Sequence, residues 1–220
     1  MKKIICAVCA AAVGFSAFAY DITANYQIKG NAKSVVRTDY SIASKFGEYY
    51  RTPSTKVVYS YDENGKLLES SEMTARDVLV NKVENKYNEE GLLVEQIGFD
   101  SESIITWKAV FNYKNGLKSD VSEYGSDGNL KTKVIYAYNG SNVSEENCYN
   151  AEGTLVGKLV YKYEGDRLTV EDEYFADGTL DTEKQYSYTE AGNKDSITTF
   201  NGNGEMMLKE VFRYNAENVL

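Results

Sequence analysis

Carboxylates are the most abundant ionisable side chains here, 33 Asp and Glu in 220 residues. Two runs, Glu145-Glu146 and Glu171-Asp172-Glu173, set them side by side. Paired carboxylates can cleave a glycosidic bond when they flank it at a suitable separation. An acidic chain forms such pairs by composition alone, and both runs read as solvated strand-face residues. Other chemistry is closed off. There is no histidine, so no Ser-His-Asp or Cys-His arrangement, HExxH zinc site or imidazole proton shuttle can be built. Three cysteines, Cys6, Cys9 and Cys148, provide neither a four-cysteine zinc site nor a disulfide framework. No calcium loop of the DxDxDG type occurs. A net charge of −9 argues against nucleic acid or an anionic membrane as partner. What remains is stacking and hydrogen bonding by 19 tyrosines. The chain reads as non-catalytic, with no cofactor or metal.

The tyrosines are periodic. Tyr61, Tyr87, Tyr113, Tyr138, Tyr163, Tyr188 and Tyr214 follow one another at 25 or 26 residues. Two residues before each stands Tyr59, Asn85, Phe111, Tyr136, Tyr161, Tyr186 or Phe212, a ring in six cases of seven. A second column half a period away runs Phe99, Tyr124, Tyr149, Tyr174, Phe200. Together these positions hold 14 of the 19 tyrosines. Turn chemistry follows each column, as in Asp62-Glu63-Asn64-Gly65, Asn88-Glu89-Glu90-Gly91, Asn150-Ala151-Glu152-Gly153 and Asn201-Gly202-Asn203-Gly204. Glycine, Asn and Asp accept the left-handed backbone that hairpin loops demand. Between turns, segments such as Leu130 to Tyr138 and Leu155 to Tyr163 alternate with period two, so each is a strand.

These elements predict an all-β fold. It is an antiparallel meander of about 13 strands built from hairpin repeats of ~25 residues, a single curved or spiralling sheet. The segment 20–55 does not keep the period and reads as an atypical N-terminal cap, with Tyr40 to Tyr50 a short helix or two irregular strands. The repeat domain is 56–220, and its last repeat is incomplete, so that edge is open or covered. A lysine recurs once per period at Lys108, Lys133, Lys158, Lys184 and Lys209, read as solvated strand-face charge.

The first nineteen residues carry an address. Met1-Lys2-Lys3 is basic, Ile4 to Phe15 is apolar, and Ala17-Phe18-Ala19 suits signal peptidase, so residues 1–19 read as a signal peptide cut before Tyr20. A membrane anchor is the alternative, but the apolar run is short for a span of roughly 30 Å. Cleavage removes two of the 24 basic residues and leaves 22 against 33 acidic ones, a charge of −11. Only Cys148 then remains, a half-buried strand residue on this reading. The destination is the periplasm, the cell surface or the medium.

Tyr-x-Tyr-[Asp/Asn]-x-x-Gly-x-Leu, as in Tyr59 to Leu67, resembles the YD repeats of bacterial Rhs-type secreted proteins. Tyr174-Phe175-Ala176-Asp177-Gly178-Thr179-Leu180 is similar to the MORN-variant repeats of YwqK-like proteins, with Asp where those favour Asn. The resemblance covers roughly residues 56 to 216, and the chain also resembles small exported bacterial proteins of that kind. It implies a hairpin-repeat shell, spacer or binding surface, without the core protease or toxin domain of the larger relatives. The function expected is therefore a binding or structural module at the cell envelope or outside the cell. The partner would be an unknown protein or glycan. Tyr136, Tyr138, Tyr161, Tyr163, Tyr186 and Tyr188 form the candidate surface, where rings could stack on sugar faces. An outer-membrane β-barrel is a further alternative. Against it, Glu145, Asp172, Lys184 and Glu210 fall by alternation on the ring-bearing face, where lipid needs apolar groups, so no stable membrane insertion is expected.

Overall fold

The computed structural model describes residues 32–214, and no helix occurs among them. The strands are β1 Ser34–Lys45, β2 Glu48–Tyr61, β3 Leu67–Thr74, β4 Leu79–Tyr87, β5 Leu93–Asp100, β6 Ile105–Lys114 and β7 Leu117–Gly125. They continue with β8 Leu130–Asn139, β9 Asn142–Asn150, β10 Leu155–Glu164, β11 Arg167–Phe175, β12 Leu180–Tyr188, β13 Lys194–Asn201 and β14 Met206–Val211. All fourteen lie in one antiparallel meander in chain order, with β1 and β14 at its ends. The fourteenth strand arises at the N-terminus. Tyr40 to Tyr50 is strand–turn–strand, with Phe46 (φ 54) and Gly47 (φ 82) as a two-residue turn and Lys45 opposite Glu48. Over its described part, 32–55, the segment is thus two paired strands with one register shift between Asp39 and Tyr40, and residue 55 lies within β2. The signal-peptide reading of residues 1–19 lies outside the described residues.

The turns explain the Asp/Asn-x-x-Gly motif. Asn150 N donates to Thr154 O at 3.0 Å and Gly153 N to Asn150 O at 3.0 Å, a type I turn closed by a left-handed residue. The first side chain caps the loop: Asp62 Oδ1 accepts the amides of Asn64 and Lys66, both at 2.8 Å. Two turns of this kind escape sequence reading because glycine is missing from them. Asp77 (φ 61) and Ser103 (φ 63) fill its place between β3 and β4 and between β5 and β6.

Beyond turns of both lengths, ladder after ladder slips by one residue. Ser60 opposes Glu69 but Tyr61 opposes Leu67, which leaves Leu68 unpaired. Thr169 and Asp195 are skipped in the same way, and on the opposite margin Asp181 and Met207. Such bulges turn side chains over relative to a simple alternation. Their effect is to place the two aromatic columns on opposite faces. Tyr161 opposes Glu171 and Tyr186 opposes Ile197 on what we term the first face. Lys82 opposes Phe99, Lys133 opposes Tyr149 and Lys158 opposes Tyr174 on the second. The expectation that four charged residues share one ring-bearing face is corrected accordingly. Lys184 and Glu210 lie on the first face, whereas Glu145 and Asp172 oppose Val160 on the second.

The chain divides into two compact units. One comprises residues 32–112 with 121–131, and the other 113–120 with 132–214. In the first, Tyr59, Ala109 and Phe111 are buried together with Asn85 and Gln96, whose amides bond at 2.8 Å. That amide pair stands where the column lacks a ring. In the second, Val134, Leu159 and Cys148 are buried. Cys148 has no exposed surface, so it is fully rather than half buried, opposite Val134 and Gly157.

Candidate functional site

A bulge turns a carbonyl out of the ladder, and a buried carbonyl without a donor costs on the order of 1–3 kcal/mol. The first tyrosine column answers this need. Tyr87 Oη donates to Leu67 O at 2.9 Å, immediately before the skipped Leu68. Tyr138 donates to Lys118 O, Tyr188 to Leu168 O and Tyr214 to Lys194 O, each at 2.8 Å. In every case the acceptor stands 20 residues earlier, on the preceding strand. The sequence signal was available: all seven members of this column are Tyr, whereas the neighbouring columns accept Phe. The column that supplies these caps contains no phenylalanine.

The six candidate residues Tyr136, Tyr138, Tyr161, Tyr163, Tyr186 and Tyr188 all lie half-buried in the unit containing residues 132–214. Tyr161 donates to Glu146 Oε1 and Tyr186 to Glu171 Oε2, both at 3.0 Å. Burial, then the Glu171 charge, raises the Tyr186 phenol far above its ordinary value. Burial likewise raises Tyr138 and Tyr163. Cations cover several of the rings. Lys118 Nζ lies 5.3 Å from the Tyr136 centroid, Lys194 Nζ 5.3 Å from that of Tyr186, and the Arg167 guanidinium 5.8 Å from that of Tyr188. Burial lowers the Lys118 pKa, and Glu146 opposes that shift.

Two hollows open beside these rings at equivalent places in the repeat. One, of about 220 Å³, is lined by Lys118, Ser119, Tyr136 and Tyr138 among others. The second, of about 440 Å³, is lined by Arg167, Thr169, Gln185, Tyr186 and Tyr188 among others. Each presents a cation, a hydroxyl and two rings, and the larger also the Glu164 side chain.

The recurrent lysine is an ion-pair partner rather than a freely solvated charge. Lys108, Lys133, Lys158 and Lys184 lie 3.2, 3.2, 3.8 and 2.6 Å from Glu95, Asp120, Glu145 and Glu171. Lys82 lies 3.9 Å from Glu69. Every partner stands 13 residues earlier on the preceding strand. Lys108 and Lys158 also sit over the rings of Tyr124 and Tyr174. For Lys209 the residue 13 places earlier is Ser196, and the series stops.

The two acidic runs are corrected as well. Adjacent residues point to opposite faces, so neighbouring carboxylates do not face one another. Glu146 and Asp172 are buried rather than solvated, 6% and 2% exposed. Asp172 Oδ2 accepts from Lys162 Nζ at 2.8 Å, and Glu171 bridges Lys184 and Tyr186. Turn carboxylates are similarly engaged. Lys131 and the Asn129 amide hold the Asp127 carboxyl down to about 2. Among the described residues no three His, Cys, Asp or Glu side chains are placed to hold a metal ion.

No family model matches the chain, and no curated protein matches it. Several solved structures are similar. A porin-like protein from Bacteroides uniformis is 11% identical, with 82% of this chain and 96% of that one covered at a TM-score of 0.40. TcdB2-TccC3-TEV is 13% identical, with 89% and 14% covered at a TM-score of 0.26. A DUF3836 family protein from Parabacteroides distasonis is 14% identical, with 54% and 94% covered at a TM-score of 0.20. Likenesses at these levels assign no activity.

Proposed function

We propose that the chain is an exported, non-catalytic β-hairpin repeat module of the YD-like kind, serving as a structural or binding surface at the cell envelope or outside the cell. One observation carries this reading. The side chains with the greatest chemical potential are spent on holding strands together, at the same place in repeat after repeat. Tyrosine hydroxyls cap bulge carbonyls at a spacing of 20 residues, and lysines bind carboxylates at a spacing of 13. Fractionation of the producing cell tests the placement: recovery in the periplasm or medium supports it, and recovery only with detergent refutes it. Replacing Tyr136, Tyr161 and Tyr186 together with Ala tests the structural role, and the triple variant is expected to unfold.

The two hollows favour a second reading, binding of a glycan or glycan-like ligand. Cation, hydroxyl and ring together suit a sugar bearing an anionic group. A polysaccharide array probed with the purified chain tests this. Retention lost in Arg167→Ala with the circular dichroism spectrum unchanged supports glycan binding, and absence of retention excludes it.

A further inference from the structure

Interior strands of the meander pair on both sides, whereas β1 and β14 end the strand order. All six residues of β14 are exposed, and Met206, Met207, Leu208 and Val211 show 46–64% of their surface. On β1, Val36 and Ile42 are exposed at 53% and 72%. Among the described residues no strand pairs with the outer edge of β1 or β14, and an apolar edge of this kind is a template for another strand.

We propose that the outer edge of β14 pairs with the outer edge of β1 of a second copy, so that the chain associates head to tail. Chain direction permits it, because every even-numbered strand from β2 to β12 is followed by an odd-numbered one, and β1 is odd-numbered. Backbone phase permits it too. Phe212 N donates to Asp195 O at 2.9 Å, so Lys209 and Val211 turn their backbone groups outward from β13. Tyr61 N donates to Lys33 O at 3.0 Å, so Val36 and Thr38 turn outward from β2.

Side chains select the register. Val211 opposite Val36 of the second copy sets Phe212 against Val35 and Glu210 against Arg37, with like faces aligned. A slip of two residues, Val211 opposite Thr38, would instead set Glu210 against Asp39. Arg37 already lies 3.2 Å from Asp39 and would be shared between two carboxylates. Such a contact joins unlike surfaces, and a pair made by it still carries one free β14 edge and one free β1 edge to which further copies add.

Sedimentation velocity of the purified chain over a wide concentration range reads the outcome. An open, concentration-dependent series is expected. Val211→Pro removes an outward amide and no β13 bond, and it should abolish the series while leaving circular dichroism unchanged. Glu210→Arg replaces attraction by repulsion and should weaken association about tenfold. Adding Arg37→Glu to Glu210→Arg should restore it. A monomer at every concentration, a series that ends at a closed dimer, or association indifferent to Val211→Pro would each overturn the proposal.

Discussion

Tyr138→Phe isolates one hydroxyl cap. Its Oη donates to Lys118 O at 2.8 Å, and the ring is half-buried. Phenylalanine keeps the ring and leaves the Lys118 carbonyl without this donor. A lost bond to a partly buried acceptor costs about 1–2 kcal/mol. For a chain of this length that lowers the melting temperature by about 2–4 °C per kcal/mol. The matched control is Tyr149→Phe, in the column where Phe99 and Phe200 already occur, with an effect within about 0.5 kcal/mol. Urea unfolding followed by far-ultraviolet circular dichroism measures both, and the midpoint should move at constant slope. Tyr188→Phe removes a separate cap onto Leu168 O, so its cost should add to that of Tyr138→Phe. If Tyr138→Phe is as harmless as Tyr149→Phe, or both are equally costly, the hydroxyl cap is not the reason for tyrosine in that column.

Gly98→Ala would put a Cβ 2.1 Å from Trp107 Nε1 and 2.3 Å from its Cε2. The indole must move, at about 1–3 kcal/mol, and emission from this sole tryptophan should shift; unchanged emission and stability would contradict the packing. Ser103→Gly relieves a left-handed serine at φ 63 and should stabilise by about 0.5–1 kcal/mol, read as a higher melting temperature in calorimetry. At high pH the tyrosines set the response. Burial raises Tyr113, Tyr138 and Tyr163 above their ordinary 10.0, so the fold favours their protonated form. The stability they contribute is complete below pH 10 and is lost as pH rises above it. Phenolate absorbance should therefore appear late and together with unfolding, and ordinary titration of these tyrosines in an intact fold would contradict it.

Strand, turn and repeat were legible because they depend on local chemistry. Tyr61 to Tyr214 at 25 or 26 residues, with Asp or Asn opening turns that glycine closes, specify hairpins without reference to distant residues. The turns at Asp77 and Ser103 were hidden because surrounding strands hold non-glycine residues in a glycine conformation. The Phe46-Gly47 hairpin could not be told from a short helix because it falls outside the period. What only the tertiary structure decided is which residues meet. A single skipped residue such as Leu68 or Thr169 reverses the face of everything beyond it. Alternation therefore could not separate Glu145 and Asp172 from Lys184 and Glu210. Nor could it show that hydroxyls reach back 20 residues and lysines 13. Tyrosine abundance is written in the sequence; its use as a cap depends on a bulge that exists only once two strands are paired.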